Sequence, residues 1–483
     1  MLSRILALVL AIGAVPAQAE APASEAPSTP PANPPAAPQA ATPQATTPPP
    51  EAPLAGWSDG TVFLRSPDNF FQLFPNGRLQ TDGYVFARPT DKMPVDTFLV
   101  KRARIEVFGW ISPWVGFNIA GDFAAGPTAA ADPVAPSSQN ATDDFILVAP
   151  WKDVAILQLG QFDAPFTLEN RTSDKYFDFI ERSHTVRAFG IPSNKEIGAM
   201  VHGLLPSKLV YYSVGAFNGD GQNFKNLDNA IDVMGRAWVA PFAGLKGSPV
   251  EFVTLGGSFW VGYRGTKGLP LTAQQTQGGF RYFGDKWTSP SKTSLELHQH
   301  GNLHALALEL DAPIAHRYGL RFEYVNKFQQ LGEDDVSQAA SGTLTTMGQA
   351  ALSGWSMYVQ GWVWLLGDDT IVGRPGLQLP SRFEKFGTKE ARHGVQLLAR
   401  FERLDERITS NTPELADPNV GRTTVTSLQV GVTYWYTKRY RAMVNYVFNN
   451  FEGDSRAVSA TTWGNLGGGH NEHEVLFRLG VAL

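Results

Sequence analysis

His473-Glu474-Val475-Leu476-Phe477-Arg478-Leu479-Gly480-Val481-Ala482-Leu483 is the last stretch of the sequence, and it alternates to its final residue. Val475, Phe477, Leu479, Val481 and Leu483 share one face of an extended strand, and Glu474, Arg478, Gly480 and Ala482 share the other. An edge strand of a soluble sheet with this pattern is normally covered by something that follows it. A sequence that stops inside the strand is expected to close its sheet on itself, with lipid outside and water inside. The last strand of a soluble sandwich would alternate in the same way, so the remaining sequence has to decide.

The same period-two pattern recurs from Trp57 onward, punctuated by Gly, Pro, Asn and Asp. Ala103, Ile105 and Val107 oppose Arg102, Arg104 and Glu106, while Leu320, Phe322 and Tyr324 oppose Arg321, Glu323 and Lys327. Val395, Leu397, Ala399 and Phe401 oppose Gln396, Arg400 and Glu402, and Tyr440, Ala442, Val444, Tyr446 and Phe448 oppose Arg439, Arg441, Asn445 and Asn449. Further runs lie at 76–88, 114–123, 144–151, 154–162, 195–205, 208–217, 231–240, 251–263, 302–310, 354–366 and 427–437, with 265–300 ambiguous. Together they predict an all-β fold, a transmembrane antiparallel barrel of about 16 strands. Short connections such as Pro206-Ser207-Lys208 and Thr437-Lys438-Arg439 alternate with long ones at 124–142, 163–193, 218–230, 329–350, 367–392, 405–425 and 451–471, which are expected to be outer loops.

Residues 1–19 read as a signal peptide: Arg4, an apolar run from Ile5 to Val15, and Ala17-Gln18-Ala19 before Glu20. Residues 20–56, mostly Ala, Pro, Thr, Gln and Ser, are expected to form a disordered periplasmic linker with a reach on the order of 100 Å, long enough to contact the cell wall. The barrel domain is placed at 57–483. The chain has no cysteine, 12 Trp, 13 Tyr, 30 Phe and 47 Gly, a net charge of −5 and a mean hydropathy of −0.16. That balance excludes a helical membrane protein and suits a barrel whose polar lumen offsets an apolar exterior in outer-membrane lipid.

Chemistry resides in the polar faces. Arg102, Arg104, Arg236, Arg321, Arg400, Arg439, Arg441 and Arg478 lie opposite apolar faces, so in a barrel they point inward and are expected to line a pore that favours small anions. Guanidinium also binds phosphate-like oxyanions with two parallel hydrogen bonds. The competing expectation is that each arginine pairs with a lumen acid such as Glu106, Glu323 or Glu402 and merely holds the wall. No nucleophile elbow, HExxH, P-loop or nucleotide fingerprint occurs, so neither an enzyme nor a cofactor is expected. His298, His300 and His304 would share one face of a strand, a spacing that could hold a metal, but no carboxylate or Cys completes the set there. His470 with His473, and Asp143 with Asp144, are similarly incomplete as metal or Ca²⁺ sites. Export and net acidity argue against nucleic-acid binding.

The chain resembles the phosphate-selective porin O and P family over most of 70–483. The resemblance is carried by Phe71-Gln72-Leu73, by Gly77-Arg78-Leu79-Gln80, by Phe98 to Glu106, by Leu159-Gly160-Gln161-Phe162-Asp163-Ala164-Pro165-Phe166-Thr167-Leu168-Glu169, by Ser173 to Ser183, by Leu398 to Asp405 and by Tyr434 to Asn445. It implies a homotrimer of 16-stranded channels with a basic lumen and an inward-folded loop. That loop would be 163–193, with Lys175, Arg182 and Arg187 at the constriction. Asp163 departs from the family's usual Lys, which weakens local attraction for anions. The resulting expectation is a porin that passively conducts small hydrophilic solutes and prefers anions, phosphate or polyphosphate. The alternatives are a non-specific porin, or a structural protein tied to the cell wall by its N-terminal arm.

Overall fold

The computed structural model describes residues 53–58, 61–87, 95–124, 140–265, 271, 274–283, 286–288, 294–335, 345–373, 391–410, 422–452 and 470–482. The expected signal peptide, nearly all of the linker and Leu483 lie outside them. Sixteen strands form one closed antiparallel barrel. The first eight are β1 (Gln72–Phe86), β2 (Thr97–Trp110), β3 (Val115–Asp122), β4 (Asp144–Val148), β5 (Ile156–Asp163), β6 (Lys195–Leu204), β7 (Val210–Phe217) and β8 (Asp232–Val239). The second eight are β9 (Thr254–Arg264), β10 (Ser294–Ile314), β11 (Tyr318–Asp335), β12 (Thr345–Leu366), β13 (Gly394–Ser410), β14 (Arg422–Thr437), β15 (Tyr440–Glu452) and β16 (His470–Ala482). Each strand pairs with its sequence neighbour, and β16 returns to β1 with Ala482 opposite Arg78 and Glu474 opposite Phe86. The seam therefore has no free edge.

Alternation becomes inside and outside. Leu79, Ile105, Ile119, Leu306, Leu308, Val430 and Leu479 stand exposed on the outer surface, where lipid replaces water, while Arg78, Gln80, Asp82, Gln429 and Arg478 are buried within. No helix among the described residues is long and apolar enough to cross a membrane. The wall is uneven. Strands β3 to β8 run 5 to 10 residues, but β10 to β14 run 16 to 22. A tilted membrane strand needs about 9–11 residues, so the tall ladders continue beyond the bilayer. This explains why β10 spans 294–314 where the alternation suggested only 302–310.

Two expectations need correcting. Strand parity places the 367–392 connection on the side of the short turns, with 111–114, 205–209 and 438–439, and not among the outer loops. In β10 the register shifts between Gln299 and Leu303 around Gly301, whose φ of +68° suits glycine. The shift is of two residues, so Gln299 and Leu303 both stay inward and His298 and His304 keep the same parity on the opposite face, with the His298 and His300 rings 6.1 Å apart and His304 exposed against Phe328. Arg439 belongs to the two-residue turn between β14 and β15, not to a strand.

Just before β1, Ala55–Ser58 pairs with Thr61–Arg65 in a hairpin that joins the start of β1 through Leu64 opposite Leu73. Its Phe63 is 2% exposed and packs inside the barrel with Phe74, Trp110, Leu147 and Ile156. Residues 274–283, in the ambiguous stretch, also enter the lumen: Thr276 and the Gly278 N–H bind Glu474, and Gln274 donates to Glu406 (2.8 Å).

Candidate permeation pathway

The connection between β5 and β6, residues 164–194, folds into the barrel. Its turns are stabilised from within and from the wall. Asn170 donates to the carbonyls of Ala164 (3.0 Å) and Asn194 (3.2 Å), tying the two ends of the loop together. The backbone N–H groups of Leu168 and Glu169 donate to Glu323 of β11. Glu169 accepts from the Ser183 N–H (2.9 Å) and hydroxyl (2.6 Å), which closes the middle of the loop on itself. Ser183 also caps the short helix α1 (His184–Phe189), its side chain accepting from the Val186 N–H. Phe166, Phe177, Phe179, Ile180 and Phe189 are all buried. Burying such a side chain contributes about 1.5–3 kcal/mol each, so the loop is held as firmly as a small core.

The acids between these rings face the arginines of the wall. Asp174 pairs with Arg78, with Arg102 (2.6 Å) and, at longer range, with Arg104 (3.7 Å). Asp178 meets Arg321 (2.8 Å) and accepts from Gln360 and Gln396. Glu181 meets Lys101 (2.8 Å), Arg478 (3.2 Å) and Arg187 (3.2 Å). Burial opposes ionisation of Glu181, but those cations hold its carboxyl well below the usual range. Arg400 bonds Glu402 (2.7 Å) and Glu169 (3.2 Å). Arg441 donates to the carbonyls of Phe177 (2.6 Å) and Asp174 (2.7 Å). Helix α1 rests on the tall wall through Thr185 against Ser356 (2.9 Å) and His184 against Asn449 (3.2 Å). Burial pushes the His184 imidazole down to about 3, so it is neutral at ordinary pH.

The loop thus packs on β10 to β16 and is also pinned by Asp174 and Glu181 to β1 and β2, with a cavity beside it against β1 to β6. This cavity of about 480 Å³ is bounded by Arg78, Arg102, Arg104, Arg171, Lys175, Arg182, Lys195, Lys438 and Arg439. The carboxylates on its lining are Glu106, Asp143, Asp163 and Asp174. Nine cations therefore face four anions. Arg182 is the least compensated: its guanidinium lies 4.5 Å from the Phe177 ring centroid, its Nε has no hydrogen-bond partner, and among the described residues no carboxylate is within ion-pair distance. Lys175 bonds Asn76 (3.1 Å) and Glu106 (3.3 Å); burial pushes its ammonium down to about 8 despite the Glu106 charge.

Three of the eight arginines expected at the pore surface, Arg102, Arg104 and Arg439, border the open gap. Arg321, Arg400, Arg441 and Arg478 also point inward but are taken up by the loop and the wall. Arg236 is bidentate on Glu309 (2.7 Å at closest) and 3% exposed. Of the loop residues, Lys175 and Arg182 border the gap, whereas Arg187 turns away to the carbonyls of Gln275 and Thr276. Asp163, the departure from the family pattern, is bound by Lys195 (2.6 Å), which also holds Asp143 (2.6 Å). Sequence reasoning missed Arg78, although its alternation with exposed Leu79 signals an inward side chain. It also missed Lys101, which reaches Glu181 because β2 carries an extra residue opposite the Gln80–Thr81 step. The alternation gives no sign of that bulge. Among the described residues no cluster of three His, Cys, Asp or Glu could hold a metal ion.

A closed membrane barrel with an inward loop beside a charged gap defines an outer-membrane porin. The family model of phosphate-selective porin O and P matches residues 76–255 of the chain. The location is the bacterial outer membrane. Similar solved structures include the outer-membrane-expressed OmpT of Vibrio cholerae, 9% identical, covering 87% of this chain and 100% of that one, with a TM-score of 0.49. A trimer form of in-vitro folded OmpT is 10% identical, covering 85% and 99%, with a TM-score of 0.46. The outer membrane channel DcaP of Acinetobacter baumannii is 10% identical, covering 87% and 99%, with a TM-score of 0.45. No curated protein sequence matches the chain.

Proposed function

We propose that this porin passively conducts small hydrophilic solutes with a preference for anions, phosphate-class oxyanions among them, through the gap between the loop and β1 to β6. The observation that carries this reading is the excess of cations over carboxylates around that gap. In a narrow aqueous gap with low-dielectric walls, that imbalance concentrates anions and depletes cations. Conduction needs weak, repeated binding, and partly compensated guanidiniums such as Arg102 and Arg104 supply it better than bare ones. A second reading is a non-specific porin. It is favoured by the ion pairs that neutralise Arg236, Arg321, Arg400 and Arg478.

Single-channel reversal potentials in a planar bilayer under a KCl gradient separate the two, first without and then with added phosphate. Anion preference with phosphate block supports the oxyanion reading; anion preference without block leaves only a general anion-leaning porin. Cation preference would refute both the anion reading and the role given to the gap. A homotrimer, export by residues 1–19 and a spacer at 20–56 complete the proposal. Crosslinking in the native membrane and N-terminal sequencing of the mature protein test them.

A further inference from the structure

Beneath the cations, the gap has an apolar wall that an inorganic ion cannot use. The pairing register sets Phe74 opposite Phe108, Phe108 opposite Asn118, and Asn118 opposite Phe145, so three phenylalanines on β1, β2 and β4 lie in one row around the lumen. All three border the same cavity as the arginines. Phe74 is capped by Phe63 of the hairpin, but Phe108 and Phe145 are only partly buried and remain on the gap. The next row outward is Asn76 and Glu106, which hold the Lys175 ammonium. The row beyond it is Arg78 and Arg104. Successive rows on one face are two residues apart, roughly 7 Å. Cation and ring are thus separated by about the length of a small aromatic acid.

A porin lumen is ordinarily polar, and half-buried rings on a water-filled wall lose favourable burial unless something apolar comes to them. From this juxtaposition we infer that the gap takes organic anions with an aromatic or apolar body, the acid group at Lys175, Arg104 and Arg182 and the body against Phe108 and Phe145. The inference rests on the anion-preferring reading and names its solute class. Hydrated inorganic oxyanions satisfy only the cationic half of the site. An aromatic carboxylate satisfies both halves, and ring contact adds affinity on the order of three- to tenfold over a carboxylate of equal charge without a ring. That gain is small enough for the solute still to leave.

The test is the concentration of benzoate, compared with acetate, that halves single-channel chloride current in the full-length porin, with reversal potentials recorded on the same channels. Half-block by benzoate at a three- to tenfold lower concentration supports the inference, and Phe108→Ser with Phe145→Ser should bring that ratio towards one. Equal half-block concentrations in the unmodified protein, with anion preference intact, overturn the aromatic-anion inference alone. Cation preference overturns the anion reading itself and is distinguishable from the first failure. If the double variant does not fold, the comparison in the unmodified channel still decides.

Discussion

Neutralising Arg182 and neutralising Arg478 should have opposite consequences, because one guanidinium faces the gap with no carboxylate of the described residues in ion-pair distance and the other is committed to one. At roughly 7 Å in a water-like medium, two unit charges interact by about 0.6 kcal/mol. Screening at 0.1 M salt, with a Debye length of about 10 Å, halves this to about 0.3 kcal/mol. Removing the Arg182 charge takes that amount from a passing anion and returns it to a passing cation. Arg182→Gln should therefore lower the anion-to-cation permeability ratio about threefold. Arg478 is different: it grips Asp82 at 2.7 Å with both side chains wholly buried. Arg478→Gln leaves Asp82 unpaired, an expected loss of about 3–5 kcal/mol, with selectivity close to that of the unmodified channel. The assays are reversal potential under a KCl gradient and the temperature at which the folded barrel loses its heat-modifiable migration on SDS gels. An unchanged ratio in Arg182→Gln, or an equal shift in Arg478→Gln, would refute the placement of the pathway beside β1 to β6.

Three further outcomes are expected. Because burial pushes Lys175 down to about 8, it is charged at pH 7 and largely neutral at pH 9.5, so anion preference should fall across that window; reversal potentials should lose this pH dependence in Lys175→Met. Gly160 has a φ of +131°, and a Cβ there would collide with the Asp144 carbonyl, so Gly160→Ala should destabilise the barrel by about 2–3 kcal/mol, read in the same gel assay. Since the chain has no cysteine, Thr185→Cys with Ser356→Cys, whose hydroxyls lie 2.9 Å apart, should crosslink on oxidation and preserve the open-channel current; failure to crosslink would refute the docking of α1 on β12.

The barrel was legible in the sequence because each strand carries its own evidence. A run such as Leu428 to Tyr436 must face lipid on one side and water on the other, and that requirement acts residue by residue. Bulges were not legible. One extra residue at Lys101 changes which side chains point inward without disturbing the local composition. The inward arginines could be found by alternation, but their partners could not. Asp174, Asp178 and Glu181 lie in a loop with no period, and only the closed barrel brings them to Arg102, Arg321 and Arg478. The extended β10 to β14 went unread for a related reason: above the bilayer the lipid face no longer demands apolar residues, and the alternation fades while the ladder continues.

All but Val372, Lys438 and Arg439 of the residues bordering the gap lie between Thr61 and His202. What the pore prefers is therefore encoded in one contiguous block, whereas much of the surface that receives the loop, including Glu323, Arg400, Glu402, Arg441 and Arg478, is encoded after it. A single crossover between β6 and β7 would exchange the solute preference of two relatives in one event. The hybrid would work only where Glu323, Glu402, Arg441 and Arg478 of the receiving half still match the incoming loop, so the second half of the chain decides which new preferences can be inherited.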